Sequence, residues 1–180
     1  MKIGIDISQI AFPGAGVANY TKNLVESLLR IDKENEYILF GSSLRRKKTL
    51  KTWFQSLSAQ NAVLKIFQFP PTLLDFLWNR LHILPIETLI GKVDIFLSSD
   101  WTQPPTRKAK KATILYDLSV YKHPQEMSSK IVSVQKRRLK WVKRECEVIF
   151  CISQATKEDA RKILGMEEKR LKVIYPGGNK

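Results

Sequence analysis

Four short stretches of this chain are apolar on almost every residue: IGIDI at 3–7, YILF at 37–40, VDIFL at 93–97 and EVIFCI at 147–152. A strand with one wet face alternates apolar and polar residues. A run without that alternation is buried on both faces, as in a parallel sheet covered by helices. The same reading places strands at Lys2–Ile7, Tyr37–Gly41, Val63–Phe69, Val93–Ser98, Ala112–Tyr116, Val148–Ile152 and Lys172–Ile174. Helical patterns lie between them. Val17, Tyr20, Leu24 and Leu28 share one face of a first helix, and Leu50, Trp53, Phe54 and Leu57 share one face of a second. Ser153 suits the N-cap of a helix after EVIFCI, with Glu158 and Asp159 near its start and Gly165 as its terminator. Strand and helix in alternation predict an α/β domain: a Rossmann-like, doubly wound, mostly parallel sheet with helices on both faces. Ligands of such sheets bind outside the carboxyl ends of the strands.

The chain has 180 residues, 43 % of them hydrophobic, enough for one domain with a substantial core. The expected domain is 1–175. LKVIYPGGNK reads as a last strand running into a Pro-Gly-Gly loop, so 176–180 is expected to begin a linker to a further domain. Cys146 and Cys151 have no metal-ligand spacing and read as small buried residues of a reducing compartment. The N-terminus enters a strand pattern directly, without signal-peptide character. The most apolar run, PPTLLDFLWNRLHILPIETLIG, carries Asp75, Arg80, His82, Pro85 and Glu87, which interrupt it too often for a membrane span. His82 and His123 are isolated, and neither a catalytic triad nor paired carboxylates suggest themselves.

Net charge is +14, from 31 Lys and Arg against 17 acids. That field favours anionic partners: phosphorylated metabolites, phospholipid headgroups or nucleic acid. No nucleic-acid module is recognisable, so nucleic acid is not expected. Arg45, Arg46, Lys47, Lys48 and Lys51 lie beside Trp53 and Phe54 without an intervening acid. This reads either as an interfacial helix touching an anionic membrane or as a core-facing stripe with a solvated basic back. Residues 136–144, KRRLKWVKR, form a second basic stretch open to the same two readings.

Three loops carry candidate chemistry. Gly14-Ala15-Gly16-Val17-Ala18-Asn19 opens the first helix. The free N–H groups and the dipole of a helix start attract an anion. As G-x-G-x-x-N it is a weak dinucleotide fingerprint, since the first glycine lies well beyond the strand. A different phosphate contact and a plain tight turn are the other readings. Tyr116-Asp117 closes a strand, where a carboxylate can accept hydrogen bonds from sugar hydroxyls; alternatively Asp117 caps the turn through Ser119. Ser98–Pro105, SSDWTQPP, offers Ser99, Asp100 and Trp101 at another strand end, either as a sugar platform or as a stiff loop with Trp101 in the core.

In their order, MKIGIDISQI…GAGVANYTKNLVESL, NEYILFGS, VDIFLSSDWTQPP, KKATILYDLSVYKHP, EVIFCISQATKEDARKILG and KRLKVIYPGG resemble the N-terminal domain of family 4 glycosyltransferases, the retaining enzymes of GT-B fold. The resemblance covers nearly the whole chain. It implies two Rossmann-like lobes facing across a cleft, this one mainly for the acceptor and a second for the nucleotide-sugar donor. It implies that Gly14, Gly16 and Val17 approach the donor diphosphate, and that Tyr116 and Asp117 act at the transferred sugar. Asn19, Tyr20, Ser99, Asp100, Trp101, Ser153 and Thr156 would line the cleft. Many relatives carry His-Asp where this chain has Tyr116-Asp117. The implied activity is transfer of a sugar to an acceptor hydroxyl with retention of configuration, in cell-surface glycan or glycolipid synthesis. No cofactor and no metal are expected, because protein cations would neutralise the diphosphate. The expected location is cytoplasmic, with peripheral contact to the inner face of the cytoplasmic membrane. The alternative is a non-catalytic basic module binding anionic lipid or polysaccharide.

Overall fold

All seven expected strands form in the computed structural model of the chain, which describes residues 1–57 and 59–177. They are β1 (Lys2–Asp6), β2 (Glu36–Ser42), β3 (Ala62–Phe67), β4 (Ile95–Ser98), β5 (Lys110–Leu115), β6 (Val148–Cys151) and β7 (Leu171–Val173). They make one sheet in the order β3-β2-β1-β4-β5-β6-β7. Every neighbouring pair is parallel, with Ile5 level with Leu39 on one side and Leu97 on the other. The chain winds outward from β1 to β3, then returns to β4 on the other side of β1. The strand order therefore reverses between β1 and β4, and a crevice opens there at the carboxyl ends. Residues 178–180 of the expected linker lie outside the described residues.

Successive apolar residues of a strand go to opposite faces, which is why the runs lack alternation. Leu39 packs with Ile5, Ile7, Val25, Leu29 and Leu50 on one face. Its neighbour Phe40 packs with Leu74, Trp78, Ile86 and Phe96 on the other. The first face is covered by α1 (Gly16–Ile31) and α2 (Lys47–Gln55). The second is covered by α3 (Pro71–Leu74), which continues into a π-helical turn at Asp75–Arg80, and by α4 (Glu87–Ile90). The β5–β7 end packs through Leu115, Leu139, Val142, Ile149 and Ala160 against α6 (Ser129–Glu145) and α7 (Gln154–Leu164). A short α5 (Ser119–Lys122) follows β5.

The local signals act as expected at α7. The Ser153 hydroxyl accepts the Thr156 N–H at 3.1 Å, and Gly165 ends the helix at φ +60°, where a side chain is strained. Cys146 and Cys151 are free and buried. The interfacial reading of Trp53 is corrected. Trp53 is only 8 % exposed and its indole N–H donates to Glu26 Oε1 at 2.9 Å, so the stripe of α2 belongs to the core. Arg45, Arg46, Lys48 and Lys51 stay exposed on its outer side, with Lys47 half-buried.

Candidate functional site

β1 ends at Asp6, and the chain makes a 3-10 turn at Ser8–Ala11 before the glycine loop. Gly14 has φ +92°, a conformation that a Cβ would strain, so the loop needs glycine there. Ala15 at the N-cap is extended and offers no side-chain acceptor to the first turn of α1. The first backbone bond into the helix is Asn19 N–H to Ala15 O, at 3.1 Å. The amides of Gly16 and Val17 come before it, in the turn that a helix leaves without internal partners. A Cβ on Gly16 would meet no atom within 4 Å, so the helix start borders open space.

That space is a cleft of about 1090 Å³. Its lining combines Gly16, Val17 and Tyr20 of α1 with Tyr116 and Ile152, at the carboxyl ends of β5 and β6, and Pro176, after β7. The loop therefore faces the ligand-binding rim of the sheet. The Tyr20 and Tyr116 rings meet edge to face at 5.4 Å and 86°. Burial pushes the Tyr116 phenol well above its ordinary range, against a hydrogen bond with Thr21. Tyr116 thus keeps its proton and can only donate or accept a hydrogen bond. Asp117 is exposed beside it, and its Oδ1 accepts the Ser119 N–H at 2.8 Å. The turn-capping reading of Asp117 is realised.

A second cavity, about 250 Å³, lies at the crevice between β1 and β4 and is lined by Asp6, Ser8, Phe12, Ser99, Trp101 and others. Asp6 is buried at its base. Burial raises its carboxyl above the ordinary value, and hydrogen bonds from Ser8 and Ser99 pull it partly back. Ser8 N–H reaches Asp6 Oδ1 at 2.9 Å, and the Ser8 hydroxyl accepts Ser42 N–H at 2.9 Å. Sequence reasoning missed Asp6 and Ser8. Their signal was position: they follow the carboxyl end of the first strand, where the fold puts ligands.

Arg138 on α6 ties the strand ends together. Its side chain has no exposure. Nε donates to Ser99 O at 3.1 Å, and Nη2 to Thr113 Oγ1 at 2.8 Å and Ile114 O at 3.2 Å. Nη1 lies 3.4 Å from Asp100 Oδ1. Gln135 Nε2 holds the Asp100 carbonyl at 2.7 Å. Burial lifts the Asp100 carboxyl to about 6, helped by the Asp117 charge and opposed by Arg138 and Gln135. Arg138 was hidden in the basic run 136–144. Its spacing from Val134 and Val142 marks it as a residue of the buried face.

The other expected site residues are placed as follows. Ser99 and Trp101 line the second cavity, while Gly14 and Asn19 are exposed outside the lining of the large cleft. Ser153 caps α7, and the Thr156 hydroxyl donates to Tyr116 O at 3.0 Å. Both hydroxyls thus hold the cleft wall together. Among the described residues, no three His, Cys, Asp or Glu come together in a metal-binding group, and no helix is long and apolar enough to cross a membrane.

An all-parallel, doubly wound sheet with helices on both faces and polar loops at its strand ends is a Rossmann-like ligand-binding architecture, consistent with one lobe of a GT-B fold. The chain belongs to Glycosyltransferase Family 4, whose family model matches residues 14–179. No curated protein matches it. Membership makes this a glycosyltransferase domain, with a sugar donor and an acceptor as its substrates in general terms.

Proposed function

We propose that this domain transfers a sugar from a nucleotide-sugar to an acceptor hydroxyl with retention of configuration, working with a second, donor-binding lobe. The hard step is departure of the nucleoside diphosphate. Main-chain N–H groups of Gly16 and Val17 would receive its developing negative charge, together with cations of the donor lobe. Such cations leave no requirement for a metal, and activity is expected to survive a chelator. Tyr116 and Asp117 would hydrogen-bond the transferred sugar, and the Asp6–Ser99 cavity would seat part of the acceptor. Closing the lobes would align the reactants and exclude water. Synthesis of cell-surface glycan or glycolipid on the cytoplasmic side suits so basic a domain.

The observation that carries this reading is the uncapped start of α1, open to the cleft that Tyr116 also lines. The test is Gly16→Trp in the full-length protein, assayed for sugar transfer from a panel of nucleotide-sugars. Loss of transfer with an unchanged fold is expected. Undiminished transfer refutes the role of the loop.

A second reading is a non-catalytic basic module for anionic lipid or polysaccharide. It draws on the net charge of +14 and the solvated cations of α2. It predicts vesicle or polysaccharide binding with no sugar transfer from any donor, and a measured transfer rate removes it.

A further inference from the structure

The connection between β3 and β4 leaves four large apolar side chains in water: Leu73 at 38 % exposure, Phe76 at 47 %, Leu81 at 49 % and Ile83 at 49 %. Scattered singly, such residues need no explanation; gathered in one segment they do. The segment is also held in an unusual shape. The π-helical turn closes with Leu81 N–H donating to Phe76 O at 3.0 Å. His82 and Leu84 then take φ of +54° and +64°, which L-residues avoid. The bend is pinned from inside. Trp78 Nε1–H donates to Leu84 O at 3.0 Å, and the His82 ring sits between Trp78 O at 2.8 Å and the Glu145 carboxylate at 2.9 Å. The bend holds Ile83 outward in solvent.

Beside this segment is a hollow of about 330 Å³ with Trp141 in its lining. Its remaining lining is Asn79, Arg80, Arg137 and Lys140: three cations and no carboxylate. Asp75, buried behind it, holds Arg137 Nη2 at 2.6 Å and lies 3.8 Å from Arg80 Nε. Arg137 Nε is buried without a partner. Trp141 is fixed by its N–H to Asn79 O at 2.8 Å and by stacking on His82, ring centroids 3.6 Å apart. The stack on His82 thus joins Trp141 to the segment whose neighbouring residues Leu81 and Ile83 are exposed.

A cationic hollow lined by Asn79 and Arg80 of the same segment that exposes Phe76, Leu81 and Ile83 matches an amphiphile with an anionic head. A soluble phosphate would use the cations and leave Phe76, Leu81 and Ile83 unexplained. We propose that this face docks on an anionic phospholipid bilayer, the lipid phosphate entering the hollow and the apolar side chains entering the acyl boundary. This surface is separate from α2 and does not depend on sugar transfer. Asn79 also ties it to the second cavity, donating to Trp101 O at 3.1 Å and accepting Gln103 N–H at 3.0 Å.

The test is co-sedimentation of the chain with vesicles of phosphatidylcholine alone and vesicles enriched in phosphatidylglycerol. Wild type should bind the anionic vesicles only. The double change Arg80→Glu and Lys140→Glu should weaken that binding at least about twentyfold, since each surface cation contributes about fivefold. Phe76→Ser with Ile83→Ser should weaken it with all cations in place. Arg80→Gln with Lys140→Gln replaces the charge-reversed pair if that pair fails to fold. Lys47→Glu, Lys48→Glu and Lys51→Glu together should retain most of the binding. Three outcomes overturn the proposal: no binding by wild type, loss confined to the α2 variant, or full competition by soluble glycerol phosphate with the apolar changes silent.

Discussion

Arg138→Met should destabilise the domain more than its place in a basic surface run suggests. The wild-type guanidinium is fully buried and spends its N–H groups on Ser99 O, Thr113 Oγ1, Ile114 O and the Asp100 carboxylate. Methionine fills a similar volume and donates nothing. Buried acceptors at the ends of β4 and β5 lose their donor, and Asp100 loses its countercharge. Breaking such a pair from one side costs about 3–5 kcal/mol. For a chain of 180 residues that lowers the melting temperature by about 10 °C. Arg138→Lys keeps the charge without the planar fork and should fall between wild type and the methionine variant. The assay is thermal and urea unfolding at neutral pH, with a double-mutant cycle against Asp100→Asn. The cycle should return a clear coupling, because Asp100 and Arg138 share one network. An Arg138→Met variant within about 1 kcal/mol of wild type refutes the claim that this residue ties the strand ends together.

The Asp100 carboxyl is lifted to about 6 in the folded protein, so folding binds a proton between its ordinary range and that value. Its contribution to stability is therefore greatest in acid, falls as pH rises through the window from about 4 to about 6, and is flat above. Urea unfolding across that window should show Asp100→Asn removing a fall on the order of 3 kcal/mol. Trp53→Ala should cost about 3–5 kcal/mol in a thermal melt, as a core tryptophan does, whereas Lys48→Glu should leave stability nearly unchanged. Gly14→Ala should cost about 1–2 kcal/mol by urea unfolding, because φ of +92° strains a Cβ. Gly16→Ala, in open space at a helix start, should be neutral or about 0.5 kcal/mol stabilising.

The sheet was legible because short runs that are apolar on almost every residue, too brief for helices and rich in Ile, Val and Phe, fit strands buried on both faces. IGIDI, YILF, VDIFL and EVIFCI each became a strand, and their order around β1 is what a doubly wound topology dictates. The capping signals at Ser153 and Gly165 acted locally, so they read correctly without tertiary information. Trp53 shows the limit. An apolar stripe on a basic helix looks the same whether it faces a membrane or a core, and only the packing against Glu26 and Leu50 decides. Arg138 shows a related limit: charge counts said basic surface, while its helical phase with Val134 and Val142 said interior. The π-helical turn and the left-handed His82 and Leu84 were invisible, because partners distant in sequence, Glu145 and Trp141, help to hold them.

The central claim is that the amides opening α1 receive the leaving diphosphate. Its most direct measurement is an NMR titration of the 15N-labelled full-length protein with a nucleoside diphosphate, following the Gly16 and Val17 N–H signals. The account predicts that both move saturably, and that Gly16→Trp abolishes the response. Saturable binding that leaves these two signals in place while perturbing other residues would contradict it.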